Sequence, residues 1–229
     1  QADTLAQNPN NKRALYDSYE VQRGAILVGG VPIALSVPST DVYSFQRVYP
    51  DGSIWTPVTG YINPILQSST GIESAMNNVL SGTAGSQFFS RLERIFTGQA
   101  PRGSNVALSL DAAAQAAAVE GLGDLQGAVL AIEPKTGRIL AMASSPTFDA
   151  NLLAVHNADE ALASFAQLEG DASKPLDNRA IGGNLNPPGS TFKLVVAAAA
   201  LASGPNCSER VSGSKAIGFK SFLPLALAG

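Results

Sequence analysis

Ser190-Thr191-Phe192-Lys193 places a hydroxyl three residues before a primary amine. A serine hydroxyl is a poor nucleophile until a base takes its proton. On a helix, positions three apart share a face, so Lys193 can reach back towards Ser190. At the first turn of a buried helix, desolvation and the positive end of the helix dipole both disfavour an ammonium. A lysine held neutral there acts as a general base. The amide of Ser190, at the same helix start, has no intrahelical acceptor and is available to an oxyanion. The spacing recurs at Ser212-Gly213-Ser214-Lys215, in a flexible stretch with no helix to align it. Pro187-Pro188-Gly189 leads into Ser190 and an apolar helix follows, so the context favours Ser190 and Lys193. The alternative reading of the same residues is a capped core helix with no chemistry.

Other chemistries are closed by composition. The chain has 229 residues, 45% hydrophobic and 14% charged, with a net charge of −3, one cysteine and one histidine. That charge gives no broad electrostatic grip on nucleic acid. A single Cys207 excludes an internal disulfide and a cysteine-rich metal site, and a single His156 excludes paired-histidine zinc motifs. His156 reads as a surface loop residue before a helix cap, and Cys207 as free or as half of a disulfide whose partner is elsewhere. No stretch reaches the roughly 18 apolar residues of a membrane span.

The elements that must position Ser190 fall into two parts, divided at Pro101-Arg102-Gly103. Residues 1–101 read as short strands at 21–28, 32–37 and 42–49, then helices at 72–80 and 87–96, with Trp55 as packing. Residues 102–229 open with a strand at 106–110. Asp111 caps an alanine-rich helix that Gly121 stops. Runs at 127–133 and 138–143, joined by Pro134-Lys135-Thr136-Gly137, form a hairpin. Asn157 starts a helix with Glu160 as capping-box partner and Leu162, Phe165 and Ala166 inward. Residues 190–202 form a helix that is apolar all round and so belongs in a core. The fold class is α+β.

Asn178-Arg179-Ala180 followed by Pro188-Gly189-Ser190-Thr191-Phe192-Lys193 resembles the active-site serine motif of penicillin-binding proteins. Arg23-Gly24-Ala25-Ile26-Leu27 resembles the motif that opens that family's N-terminal module. Arg102-Gly103 with Leu108-Ser109-Leu110-Asp111 and Gln115 resembles its junction. The segment Gly127-Ala128-Val129-Leu130-Ala131-Ile132 through Met142, continued by Ser144-Ser145-Pro146-Thr147-Phe148-Asp149-Ala150-Asn151, resembles the hairpin of its catalytic domain. The order of motifs and the lack of a glycosyltransferase region resemble class B, of the actinobacterial penicillin-binding protein A type.

The resemblance implies a pedestal or dimerisation-type module at 1–101 and the start of a serine transpeptidase domain, an antiparallel sheet with helices, at 102–229. It implies a peptidoglycan D,D-transpeptidase in which Ser190 is the nucleophile and Lys193 its base, with no metal or organic cofactor. The implied partners are stem peptides ending in D-Ala-D-Ala, β-lactam antibiotics, and cell-wall or division proteins at the N-terminal module. The implied place is the extracytoplasmic face of the membrane, anchored by an N-terminal segment outside these residues. Arg179 would brace the nucleophile loop, and Asp149 with Asn151 would form a turn.

The family's Ser-x-Asn triplet does not occur, and Lys135-Thr136-Gly137 lies upstream of the nucleophile, in the hairpin turn. The transpeptidase-like domain is therefore expected to be incomplete within these residues and unable to acylate by itself, with 205–229 unassigned. Two other readings stand beside it: a β-lactamase-like hydrolase, and a non-catalytic scaffold.

Overall fold

The computed structural model describes residues 20–83, 102–182 and 189–202. Two compact units divide the chain, residues 1–184 and 185–229. The helix expected at 87–96, the second serine–lysine pair and Cys207 lie outside the described residues.

In the first unit, β1 (Ile26–Val28), β2 (Val31–Pro38), β3 (Phe45–Val48) and β6 (Val106–Leu108) form one sheet in the order β3-β2-β1-β6. β1 and β2 are antiparallel and joined by Gly29-Gly30, whose φ values of 57° and 85° suit the tight reversal. β6 runs parallel to β1, with Ile26 opposite Val106. The sheet thus draws strands from both sides of Pro101. Between β3 and β6 come α1 (Gly52–Thr59), the short pair β4 (Ile62–Asn63) and β5 (Ser68–Ser69), α2 (Gly71–Ala75) and α3 (Asn77–Leu80). The single helix expected over 72–80 is broken at Met76, whose φ of −106° and ψ of 20° leave the helical well.

α1 has no counterpart in the sequence reading, and Pro57 within it disfavours a helix. Burial overrides that propensity: Trp55, Thr56, Pro57, Val58 and Thr59 are all buried. Trp55 packs with Ile26, Tyr49, Tyr61, Phe148 and Leu153 in the main core.

The alanine-rich helix α4 spans Ala112–Leu122 and starts as expected, with Asp111 Oδ1 accepting from the Ala114 N–H at 2.8 Å. It does not stop at Gly121 but runs one residue further. The hairpin is β7 (Gly127–Ile132) with β8 (Ile139–Ser145), antiparallel with Val129 opposite Ala143. α4 covers one hairpin face, where Ala118 and Leu122 meet Ala141 and Ala143. Small residues on both sides permit that close approach.

α5 spans Ala158–Gly170, and Asn157 Oδ1 accepts from the N–H groups of Asp159 and Glu160. Its inward face is Ala161, Phe165 and Leu168, not Leu162, Phe165 and Ala166; Leu162 is 55% exposed. At about 100° per residue, Ala161 and Leu168 fall on one side of Phe165, and Leu162 and Ala166 on the other. Phe165 alone does not say which side is covered.

The second unit shows a 3₁₀ turn at Gly189–Thr191 running into α6, Phe192–Ala202. The described residues do not supply the cover that an apolar helix needs. Phe192, Leu194, Val195, Val196 and Leu201 are all large exposed side chains, from 46% to 79%. An all-round apolar helix needs neighbours on every side. Among the described residues, its unit consists of that turn and helix alone.

Candidate active site

Ser190 is the middle residue of the 3₁₀ turn and Lys193 is the second residue of α6. Both are exposed. The cover expected over this first turn is not supplied by the described residues. Gly189, just before Ser190, has φ of 51°.

The loop preceding this segment in sequence is tightly organised. The Arg179 guanidinium donates through Nη1 to the carbonyls of Pro146, Lys174 and Asp177, at 3.3, 3.2 and 3.2 Å, and through Nη2 to that of Ser173 at 2.7 Å. Its own N–H donates to Ser144 Oγ at 3.0 Å. One side chain thus gathers the backbone of residues 173–179 against the end of β8. Asn178 Nδ2 donates to the Pro57 carbonyl of α1 at 2.6 Å. Arg179 is a structural brace of its own loop.

Asp149 and Asn151 also act as structure. Asp149 Oδ1 accepts from the Asn151 N–H at 2.9 Å and from Nδ2 at 2.8 Å. Asn151 in turn holds Tyr49 on both backbone groups, accepting from its N–H and donating to its carbonyl, each at 2.9 Å. Lys135-Thr136-Gly137 is an exposed hairpin turn.

His156 departs from the surface-loop expectation. Its side chain is 7% exposed, its Nδ1 lies 2.6 Å from Asp41 Oδ2, and its ring meets Tyr43 edge-on at 4.8 Å. Burial pushes the Asp41 carboxyl up, but hydrogen bonds from His156, the Tyr43 N–H and Ser39 outweigh it, and its pKa falls below the usual carboxylate value.

The two arginine–glycine motifs, far apart in sequence, form one joint. Gln22 and Arg102 pair as a parallel bridge, and the Gly103 N–H donates to the Gln22 carbonyl at 2.9 Å. The Gly24 N–H donates to the Leu80 carbonyl at 2.9 Å. A Cβ at Gly24 would collide with the Ser104 carbonyl, and one at Gly103 with the Leu80 carbonyl. Glycine is required at both by close approach of backbone.

The sequence reading missed what anchors this joint. Glu73 is fully buried and accepts from Arg23 Nε at 2.6 Å and Arg47 Nε at 2.7 Å. Arg23 Nη2 also donates to the Glu73 carbonyl, and Arg47 Nη1 to that of Gly24. Tyr49 OH donates to Glu73 Oε1 at 3.4 Å, and burial, helped by the Glu73 charge, pushes the phenol far up. Neither Arg47 nor Glu73 stands in any local pattern that marks it. Among the described residues no cluster of His, Cys, Asp and Glu has the makings of a metal site, and no helix is long and apolar enough to cross a membrane.

A sheet module and a hairpin layer are followed in sequence by a serine–lysine turn at a helix start. Residues 23–106 match the penicillin binding protein A dimerisation domain, and residues 127–215 match the penicillin binding protein transpeptidase domain. The chain belongs to the penicillin-binding protein family. It is similar to the peptidoglycan D,D-transpeptidase PbpA of Mycobacterium tuberculosis strain H37Rv, at 41% identity over 94% of this chain and 45% of that protein. It is similar also to PbpA of Mycolicibacterium smegmatis, at 43% identity over 89% of this chain and 42% of that protein. Among solved structures it resembles an imipenem acyl-enzyme complex of penicillin-binding protein A from M. tuberculosis. There the TM-score is 0.76 and the identity 42%, over 83% of this chain and 44% of the other. The chain spans a little under half the length of these relatives.

Proposed function

We propose that this chain carries the nucleophile-bearing part of a peptidoglycan D,D-transpeptidase, with Ser190 as nucleophile and Lys193 as its base. The observation that carries the reading is the position of Ser190 in the turn that opens an apolar 11-residue helix, within the transpeptidase match. Ser190 Oγ attacks the penultimate D-Ala carbonyl of a stem peptide while its proton passes to Lys193 Nζ. The C–N bond to the terminal D-Ala breaks, and Lys193 returns the proton to the leaving amine. The ester on Ser190 is then attacked by an amine of a neighbouring stem, which forms the cross-link and frees the hydroxyl.

A β-lactam follows the first half only. Its ring amide opens on Ser190, but the severed nitrogen stays tethered and no leaving group departs. Relatives solved as β-lactam acyl-enzyme complexes support this ligand class. Residues 1–101 serve as the supporting module, open to cell-wall or division proteins, and residues 102–229 begin the catalytic domain. A stem-peptide substrate goes with a site on the extracytoplasmic face of the membrane.

The test is covalent labelling of the full-length polypeptide by a fluorescent penicillin. Ser190→Ala abolishes the label, and Ser212→Ala leaves it. A label that survives Ser190→Ala overturns the assignment.

A further inference from the structure

We propose that Gly189 is a positioning residue for acylation: its left-handed backbone sets the direction in which Ser190 enters the helix. This rests on the reading of Ser190 as the nucleophile. Gly189 has φ of 51°, a region that residues bearing a Cβ occupy only at a cost. A Cβ built on it meets nothing within 4 Å. These two facts separate conformation from space. At Gly24 and Gly103 the surrounding backbone leaves no room for a side chain. At Gly189 it is the left-handed backbone angle that calls for glycine.

The position gives that angle a consequence. Gly189 is the first residue of the Gly189–Thr191 turn, so its left-handed angle sets how the chain enters that turn. Ser190 follows directly, so a rotation about Gly189 swings its N–H and its Oγ together. Those are the two groups that acylation requires: the attacking oxygen and an amide at the helix start able to face the developing oxyanion. An L-residue at 189 shifts the segment towards conformers in which both point elsewhere, and the apparent acylation rate falls with the competent fraction.

The experiment measures the second-order rate constant of labelling by a fluorescent penicillin in the full-length polypeptide. It compares the natural sequence with Gly189→Ala, Gly189→Asn and Ser190→Ala, with a thermal melt of each. Gly189→Ala is expected to lose about five- to thirty-fold in rate, the range set by the left-handed penalty of an L-residue, with its melting temperature unchanged. Asparagine visits this region more readily than alanine, so Gly189→Asn is expected to retain more of the rate than Gly189→Ala. Labelling of Gly189→Ala at the natural rate overturns the proposal. So does an equal loss in both variants, which would point to bulk rather than φ, or a loss that only tracks a lowered melting temperature. Persistent labelling of Ser190→Ala is a different failure, that of the nucleophile reading beneath it.

Discussion

Lys193 differs from an arginine at the same place in one property that matters to Ser190. A lysine can give up its proton within a protein, whereas a guanidinium does not. Lys193→Arg keeps the positive charge and removes the base. We expect its rate of penicillin acylation, followed by quenched-flow labelling, to fall by about 10²–10⁴, the usual worth of a positioned general base. Near-natural acylation in that variant would mean that Lys193 serves only as a charge. Asp41 allows a second test, of stability. Its folded pKa lies below its unfolded one, so ionised Asp41 stabilises the fold above the unfolded value of about 3.9. That contribution is lost as pH falls through the lower, folded value. Urea midpoints of the natural protein and Asp41→Asn should therefore differ at pH 6 and converge at the acid end. A gap that persists unchanged at low pH would place the contribution outside the carboxylate.

At the scale of elements, glycines carry opposite meanings that their sequence context does not separate. Gly103 sits in the arginine–glycine joint, where a Cβ would strike the Leu80 carbonyl. Gly121 sits in α4, where a Cβ would meet nothing within 4 Å. Gly103→Ala is expected to destabilise by about 1–3 kcal/mol through overpacking. Gly121→Ala is expected to stabilise by about 0.5–1 kcal/mol, because alanine loses less entropy in a helix. Chemical denaturation of both variants checks the signs, and two changes of the same sign would contradict the geometry. The α4 cap and the hairpin turn were legible from sequence because each depends on residues within one turn of itself. The buried side of α5 was not, because it depends on which neighbour arrives to cover it.

Across the first unit, side-chain amides stitch the β-rich module to the hairpin layer. Gln115 is fully buried; its Nε2 donates to the Ile54 and Met142 carbonyls at 3.1 and 2.9 Å, and its Oε1 accepts from the Met142 N–H at 2.8 Å. Asn63 Nδ2 donates to the Leu153 carbonyl at 2.7 Å, and Gln46 Nε2 to that of Ala154 at 2.6 Å. Each bond pairs a side-chain amide with a backbone group far away in sequence. Module and hairpin layer should therefore unfold together. Trp55, the chain's one tryptophan, reports on α1, and amide exchange reports on β7 and β8. The two transitions are expected to coincide, and Gln115→Ala is expected to shift both by about 1–3 kcal/mol, the cost of stranding buried polar groups. Separate transitions would show a hinge where this geometry has a seam.

The sequence by itself determined the order of the motifs, the family, the helix starts at Asp111 and Asn157, the turn at 134–137, and the candidacy of Ser190 with Lys193. All of these are written in residue types a few positions apart, and local backbone preferences act over that range. Only the tertiary structure decided that residues 52–59 coil into a helix despite Pro57, that Gly24 and Gly103 meet, and that Glu73 takes both arginines. It also decided that His156 closes on Asp41 across 115 residues of chain. Such contacts follow no period, because the partners are chosen by burial and by the need to pair every buried charge and backbone group, and a chain position carries no record of what will be packed against it.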